Sequence, residues 1–177
     1  MTIQMYYLYL TRARRDLWAF LESLPDEVLS KSVIPAERMR SMKDLVLHIA
    51  IVEDSWLHED ILRDQPVWER MAGFPHEFEK PYHDAKTLHW LLEYWRAVEA
   101  GTLEYLEAVN DAELERRVSV MGSLDDVTFS ASDVLWHVAQ HETRHTAQLA
   151  LLGRLAGFAP PQLDLIKYLR SEDVSTD

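Results

Sequence analysis

The sequence predicts an all-α chain, and three observations predict it. Glycine is scarce, five in 177 residues. Apolar residues recur at helical spacing nearly everywhere, with strand-like alternation confined to one short stretch. Two long apolar stripes each open on Ser-x-x-Asp, at Ser41/Asp44 and Ser130/Asp133, the pattern of a capping box at a helix start.

The first helix is expected from Ile3 to Leu24, with Tyr6, Leu10, Leu17, Leu21 and Leu24 along one side and Pro25-Asp26 to end it. The second begins at Ser41 and carries Leu45, His48, Ile49, Val52 and Trp56 on one face, which turns His48 inward. A connection from Asp64 to Asp84 follows, long for a compact domain and rich in Trp68, Phe74, His76, Phe78, Tyr82 and His83. It reads as a packed crossover between helices, with a substrate-contacting lid as the other reading. The third helix is expected over Ala85 to Val109. Arg117 to Met121 and Val127 to Phe129 around Gly122-Ser123 form a candidate hairpin. The fourth helix runs from Ser130 to about Ala156, before Gly157 and Pro160-Pro161, and a short last helix is expected over Gln162 to Arg170.

Composition narrows the function classes. The length fits one domain, residues 1–177, able to bury a core without disulfides. Hydrophobic residues make up 47% of the chain, with six Trp, so a packed interior is expected. The net charge of −12, from 18 basic and 30 acidic residues, opposes nucleic acid and anionic membrane surfaces as partners. No apolar run is long enough to span a bilayer, and Met1 to Leu10 lacks a signal-peptide pattern. Cytoplasmic residence is the expectation. With no cysteine, any metal must be held by His, Asp or Glu, and any thiol chemistry needs a thiol from outside the chain.

Chemistry is concentrated in His141-Glu-Thr-Arg-His145. Two histidines four residues apart on a helix project from one face, close enough to share one divalent ion. They lie on a stripe with Val134, Val138, Leu149 and Leu152, where burying two imidazoles without partners is costly. His48 is the third candidate, because facing helices build metal sites inside bundles. His137, His141 and His145 form an i, i+4, i+8 series, but its ends lie about 12 Å apart at 1.5 Å per residue, too far for one ion. His141 and His145 are the pair nearer the stripe centre, which leaves His137 as a neighbour of the ligands or a packed residue.

The H-E-x-x-H spelling is also that of zinc proteases, which would make Glu142 the general base. The surroundings do not fit: Arg144 occupies a position that is usually uncharged, and Gln148 stands where the longer motif has glycine. A di-iron bundle site needs Glu-x-x-His twice. Glu142 and His145 supply it once, while Leu45 sits three before His48.

Taken in order, Met42-Lys-Asp-Leu-Val-Leu-His48, then Asp133-Val-Leu-Trp-His137-Val-Ala-Gln-His141-Glu-Thr-Arg-His145-Thr-Ala-Gln148, then Gly157-Phe-Ala-Pro-Pro-Gln-Leu-Asp164 resemble the DinB/YfiT-like family across nearly the whole chain. The resemblance implies an up-down-down-up four-helix bundle with long connections and a short C-terminal helix. It also implies a divalent ion on His48, His141 and His145. A three-histidine site accepts zinc, nickel, iron, cobalt or manganese, and zinc or nickel is expected first, with manganese or iron next. The family's usual His-His-Arg-Gly-Gln ending is here Arg144-His145-Thr146-Ala147-Gln148, so the ligand and the glutamine persist while the Arg-Gly step is altered. Characterised relatives imply a metal-dependent S-transferase or isomerase working on a low-molecular-weight thiol cosubstrate and a small electrophile. A non-catalytic metal-binding stress or damage-response bundle and a metal-dependent hydrolase are the alternatives. Glu142 is either a catalytic base or a carboxylate that is solvated or stands beside the ligands, and Gln148 either orients a ligand or substrate or bonds within the bundle. The resemblance further implies a homodimer, for which Tyr6, Tyr7 and Tyr9 of the first helix are a candidate face unless they fill the monomer core.

Overall fold

A computed structural model describes residues 1–33, 41–74, 86–120 and 127–169. The chain is helical, as the apolar spacing predicts. Its elements are α1 (Ile3–Glu22), α2 (Asp26–Leu29), α3 (Met42–Asp54), a π-helical continuation (Ser55–Leu62), α4 (Val67–Arg70), α5 (Leu88–Ala108), α6 (Asp111–Leu114), β1 (Arg117–Ser119), β2 (Thr128–Ser130), α7 (Ala131–Leu155) and α8 (Leu165–Leu169). Four long helices share the interior: α3 packs on α5 and α7, and α1 packs on the same two.

Both predicted capping boxes form. The Ser41 hydroxyl accepts from Asp44 N at 3.1 Å while Asp44 returns a bond to Ser41 N. Ser130 and Asp133 do the same at 3.0 Å each way. Each pair satisfies two amides that a helix start otherwise leaves open. Other ends shift by local chemistry. The first helix stops at Glu22, not Leu24, with Ser23 as C-cap and its hydroxyl donating to Phe20 O. The helix expected from Ala85 opens at Leu88, because Thr87 caps it by accepting from Trp90 N. The last helix begins at Leu165 rather than Gln162, and its expected end, Arg170, lies outside the described region.

The larger departure is in the second predicted helix, which changes to π geometry at Ser55. That segment ends at Arg63 in the left-handed region, φ 55°, and the Arg63 side chain donates to Ser119 O on β1. The strands pair antiparallel with Val118 opposite Phe129, so the small hairpin is present, and residues 121–126 between them lie outside the described region.

The first part of the Asp64 to Asp84 connection is packed structure. Val67 N and Trp68 N both donate to Asp54, and Phe74, 4% exposed, meets Trp68, Trp90 and Tyr94. Residues 75–85, including His76, Phe78, Tyr82 and His83, lie outside the described region. Tyr7 and Tyr9 are buried in the core, and Tyr6 packs on Tyr9 and Trp136. No helix among the described residues is long and apolar enough to cross a membrane.

Candidate metal centre

The α7 stripe is buried throughout, from Val134 and Val138 through His141 and His145 to Leu149 and Leu152. α3 lies alongside α7 and brings His48 to the same point. The three rings form a compact triangle, with centroids 4.4 Å apart for His141 and His145, 4.8 Å for His48 and His141, and 4.9 Å for His48 and His145. One nitrogen from each lies within 4.8 Å of the others. His48 and His141 meet Nε2 to Nε2 at 3.0 Å.

This donor set fits a divalent ion. Two nitrogens at the usual zinc distance in tetrahedral geometry stand about 3.3 Å apart, close to the His48–His141 separation. The widest gap in the trio exceeds that figure, so gathering all three on one ion draws the rings together. Protonation state favours ligation as well. Burial, then the neighbouring His145, His48 and Arg144, push His141 down to about 3. Burial also lowers His145, against the opposing pull of its Gln148 hydrogen bond. Both rings therefore keep a lone pair at neutral pH.

Gln148 Oε1 sits 2.5 Å from His145 Nδ1. An amide oxygen can only accept, so Nδ1 carries the proton and Nε2 is left as the donor atom to a metal. His137, which the sequence leaves as a neighbour of the ligands or a packed residue, stacks on Trp56 at 4.3 Å and stands 6.3 Å from the His141 ring, outside the trio. Arg144 approaches His145 Nε2 at 3.5 Å and places a cation at the edge of the site.

Glu142 points away from solvent into an ion-pair network that sequence reasoning missed. Arg14, 1% exposed, holds Glu142 bidentately at 2.6 and 2.8 Å, Glu53 at 2.8 Å and Glu99 at 3.0 Å. Tyr7 and Thr102 donate to Glu53, and Arg15 pairs with Glu99 from the rim. Burial pushes the Glu142 carboxyl above its usual range, opposed by Arg14. The signal for the network was in the sequence: Arg14 occupies a core position between Leu10 and Leu17, and Glu99 one between Trp95 and Thr102. A charge on an apolar stripe needs a buried partner.

The family model described as the DinB family matches residues 1–176. The chain belongs to the DinB family. Two solved structures share its fold. One is a DinB-like protein from Bacillus cereus, 19% identical with a TM-score of 0.63, covering 89% of this chain and 94% of its own. The other is a conserved protein from Enterococcus faecalis, 20% identical with a TM-score of 0.68, covering 88% of this chain and 97% of its own. No curated protein matches the sequence. At these identities the likeness of this DinB-family protein to the two structures concerns the fold alone.

Proposed function

We propose that this DinB-family protein holds one divalent ion on His48, His141 and His145 and is a metal-dependent transferase acting on a small thiol and an electrophile. The observation that carries the reading is the convergence of three imidazoles from two helices, with one nitrogen of each within 4.8 Å of the others. An ion bound there supplies Lewis acidity, which lowers the proton affinity of a coordinated thiol. Three neutral ligands leave the ion's full charge available and leave room for an exogenous ligand. The chain's own groups support the same chemistry. Gln148 holds the His145 tautomer, Arg144 adds positive potential that favours an anionic sulfur, and burial of His141 keeps protons from competing for the site.

Glu142 is bound to Arg14, so its contribution to this reading is to anchor the helix turn between the two ligands. Zinc and nickel suit the imidazole set best. Pairing of two chains belongs to the same proposal. With Tyr7 and Tyr9 buried, such a face would use exposed side chains such as Met5 and Leu8 of α1, and sedimentation at several concentrations tests it.

Elemental analysis of natively purified protein, together with assays of a thiol panel against a small electrophile, tests the function. About one ion per chain and turnover lost on chelation are expected. Stoichiometric metal without turnover would replace the transferase with a metal-binding bundle, and no metal under any loading would remove the site.

A further inference from the structure

A second constellation lies on the π-helical segment, apart from the three histidines. Asp54 is fully buried and accepts four hydrogen bonds or ion-pair contacts: from Val67 N and Trp68 N at 3.0 Å, from the Tyr94 hydroxyl at 2.7 Å, and from His58 Nδ1 at 2.8 Å. His58 is thereby locked at one nitrogen. It is 5% exposed, and its Nε2 has no partner among the described residues. That nitrogen borders a cleft of about 550 Å³ between the π segment, α4 and α5.

The floor of the cleft is built from Ala97, Ala100 and Gly101 of α5. A Cβ added at Gly101 would stand 3.4 Å from both Cε1 and Nε2 of His58, so the glycine keeps the space over the ring edge open. Arg70, at the end of α4, lines the same cleft and has no ion pair among the described residues. Asp64 and Glu104 stand at its other walls, and the Tyr105 hydroxyl is engaged with Glu113.

We propose that this cleft binds a short-chain carboxylate, with its oxygens between His58 Nε2 and the Arg70 guanidinium and its hydrocarbon over Ala97, Ala100 and Gly101. The hydrogen bond to Asp54 raises the basicity of His58, opposed first by burial and then, more weakly, by the charge of Arg70. A bound anion relieves that repulsion and accepts a charge-assisted bond from each cation. Asp54 offsets the charge of His58, and Asp64 and Glu104 stand at the other walls, so the positive charge left to face a ligand is that of Arg70. A single carboxylate charge matches it, and the second charge of a phosphate dianion is opposed by the acidic walls. Methyl-sized side chains on the floor match an aliphatic tail.

The test is a titration of the full-length protein with butyrate, acetate and inorganic phosphate at pH 6.5, followed by the His58 Cε1–H NMR signal, which is assigned by its loss in His58→Gln. Saturable shifts are expected, tightest for butyrate, and identical with metal-loaded and chelator-treated protein. Arg70→Ala should weaken butyrate about tenfold, the scale of one charge-assisted contact. Gly101→Leu, which leaves all the charged groups in place and suits a helix, should weaken it at least as much by filling the cleft. An absent or unsaturable shift, phosphate binding tighter than butyrate, or affinity unchanged in both variants would overturn the proposal. Binding that appears only with metal would transfer the anion to the three-histidine centre and equally overturn it.

Discussion

Single atoms decide the chemistry at both clusters. Gln148 Oε1 fixes the proton on His145 Nδ1 and so frees Nε2, whereas Asp54 fixes His58 at Nδ1 and favours its charged form. The first arrangement suits a ligand and the second an ion pair. Accordingly, His48→Ala, His141→Ala and His145→Ala should each lose stoichiometric metal, while His137→Ala, whose ring stacks on Trp56 outside the trio, should keep it. Elemental analysis after gel filtration reads this directly, and equal loss on changing His137 would mean that the ligand pair is misassigned. The Asp54–His58 pair predicts a pH effect of definite sign. Because the folded state raises the His58 pKa, it binds more protons than the unfolded chain above about pH 6.5. The contribution is thus complete below that pH and fades as pH rises through the folded value. The stability difference between wild type and His58→Gln, measured by urea unfolding, should shrink from pH 6 to pH 9, and a constant difference would rule out this linkage.

At the scale of elements, α7 carries two of the three histidines proposed as ligands, and its start depends on one hydroxyl. Ser130→Ala removes the acceptor for Asp133 N and should cost about 1 kcal/mol, read as a lower urea midpoint with an unchanged slope. No loss of stability would show that the cap contributes nothing beyond what water supplies. This start was legible in the sequence because capping depends on residues three apart. So were the α7 stripe and the alignment of His141 with His145, which follow from the helical repeat alone. The π geometry from Ser55 was not legible, since Ser-Trp-Leu-His-Glu-Asp-Ile-Leu has no local marker that separates it from an α-helix. The contacts at its start are tertiary, since Asp54 accepts from Val67 N, Trp68 N and the Tyr94 hydroxyl as well as from His58, and no local pattern reveals them. The starts of α5 and α8 shifted for the ordinary reason that end positions depend on single caps. His48 was placed on the correct stripe, yet only the packing of α3 on α7 brings its ring to the other two.

Across the whole molecule, the apolar core is divided. One cluster gathers Leu17 to Leu29 with α3 and the first half of α5, and the other gathers Ile3 to Ala13 with Ile61, Val118 and the start of α7. Between them runs a polar layer in which Arg14 of α1, Glu53 of α3, Glu99 of α5 and Glu142 of α7 join one residue from each long helix. The histidine trio flanks it, since His141 and His145 bracket Glu142 in sequence. The layer therefore sets the relative height of α3 and α7, on which the His48–His141 contact depends. Arg14→Met keeps much of the side-chain volume but leaves three carboxylates buried without their shared cation. Stranding one side of a buried pair typically costs about 3–5 kcal/mol, and metal affinity should fall with it even though no ligand is touched. Replacing the carboxylates together with Arg14, as Arg14→Met with Glu53→Gln, Glu99→Gln and Glu142→Gln, should recover stability in part, because the amides can bond to one another and carry no charge. Chemical unfolding of the two variants beside wild type measures both effects. If Arg14→Met were as stable as wild type, the layer would hold no net tension between helices, and the alignment of the histidines would have to come from the two apolar clusters alone.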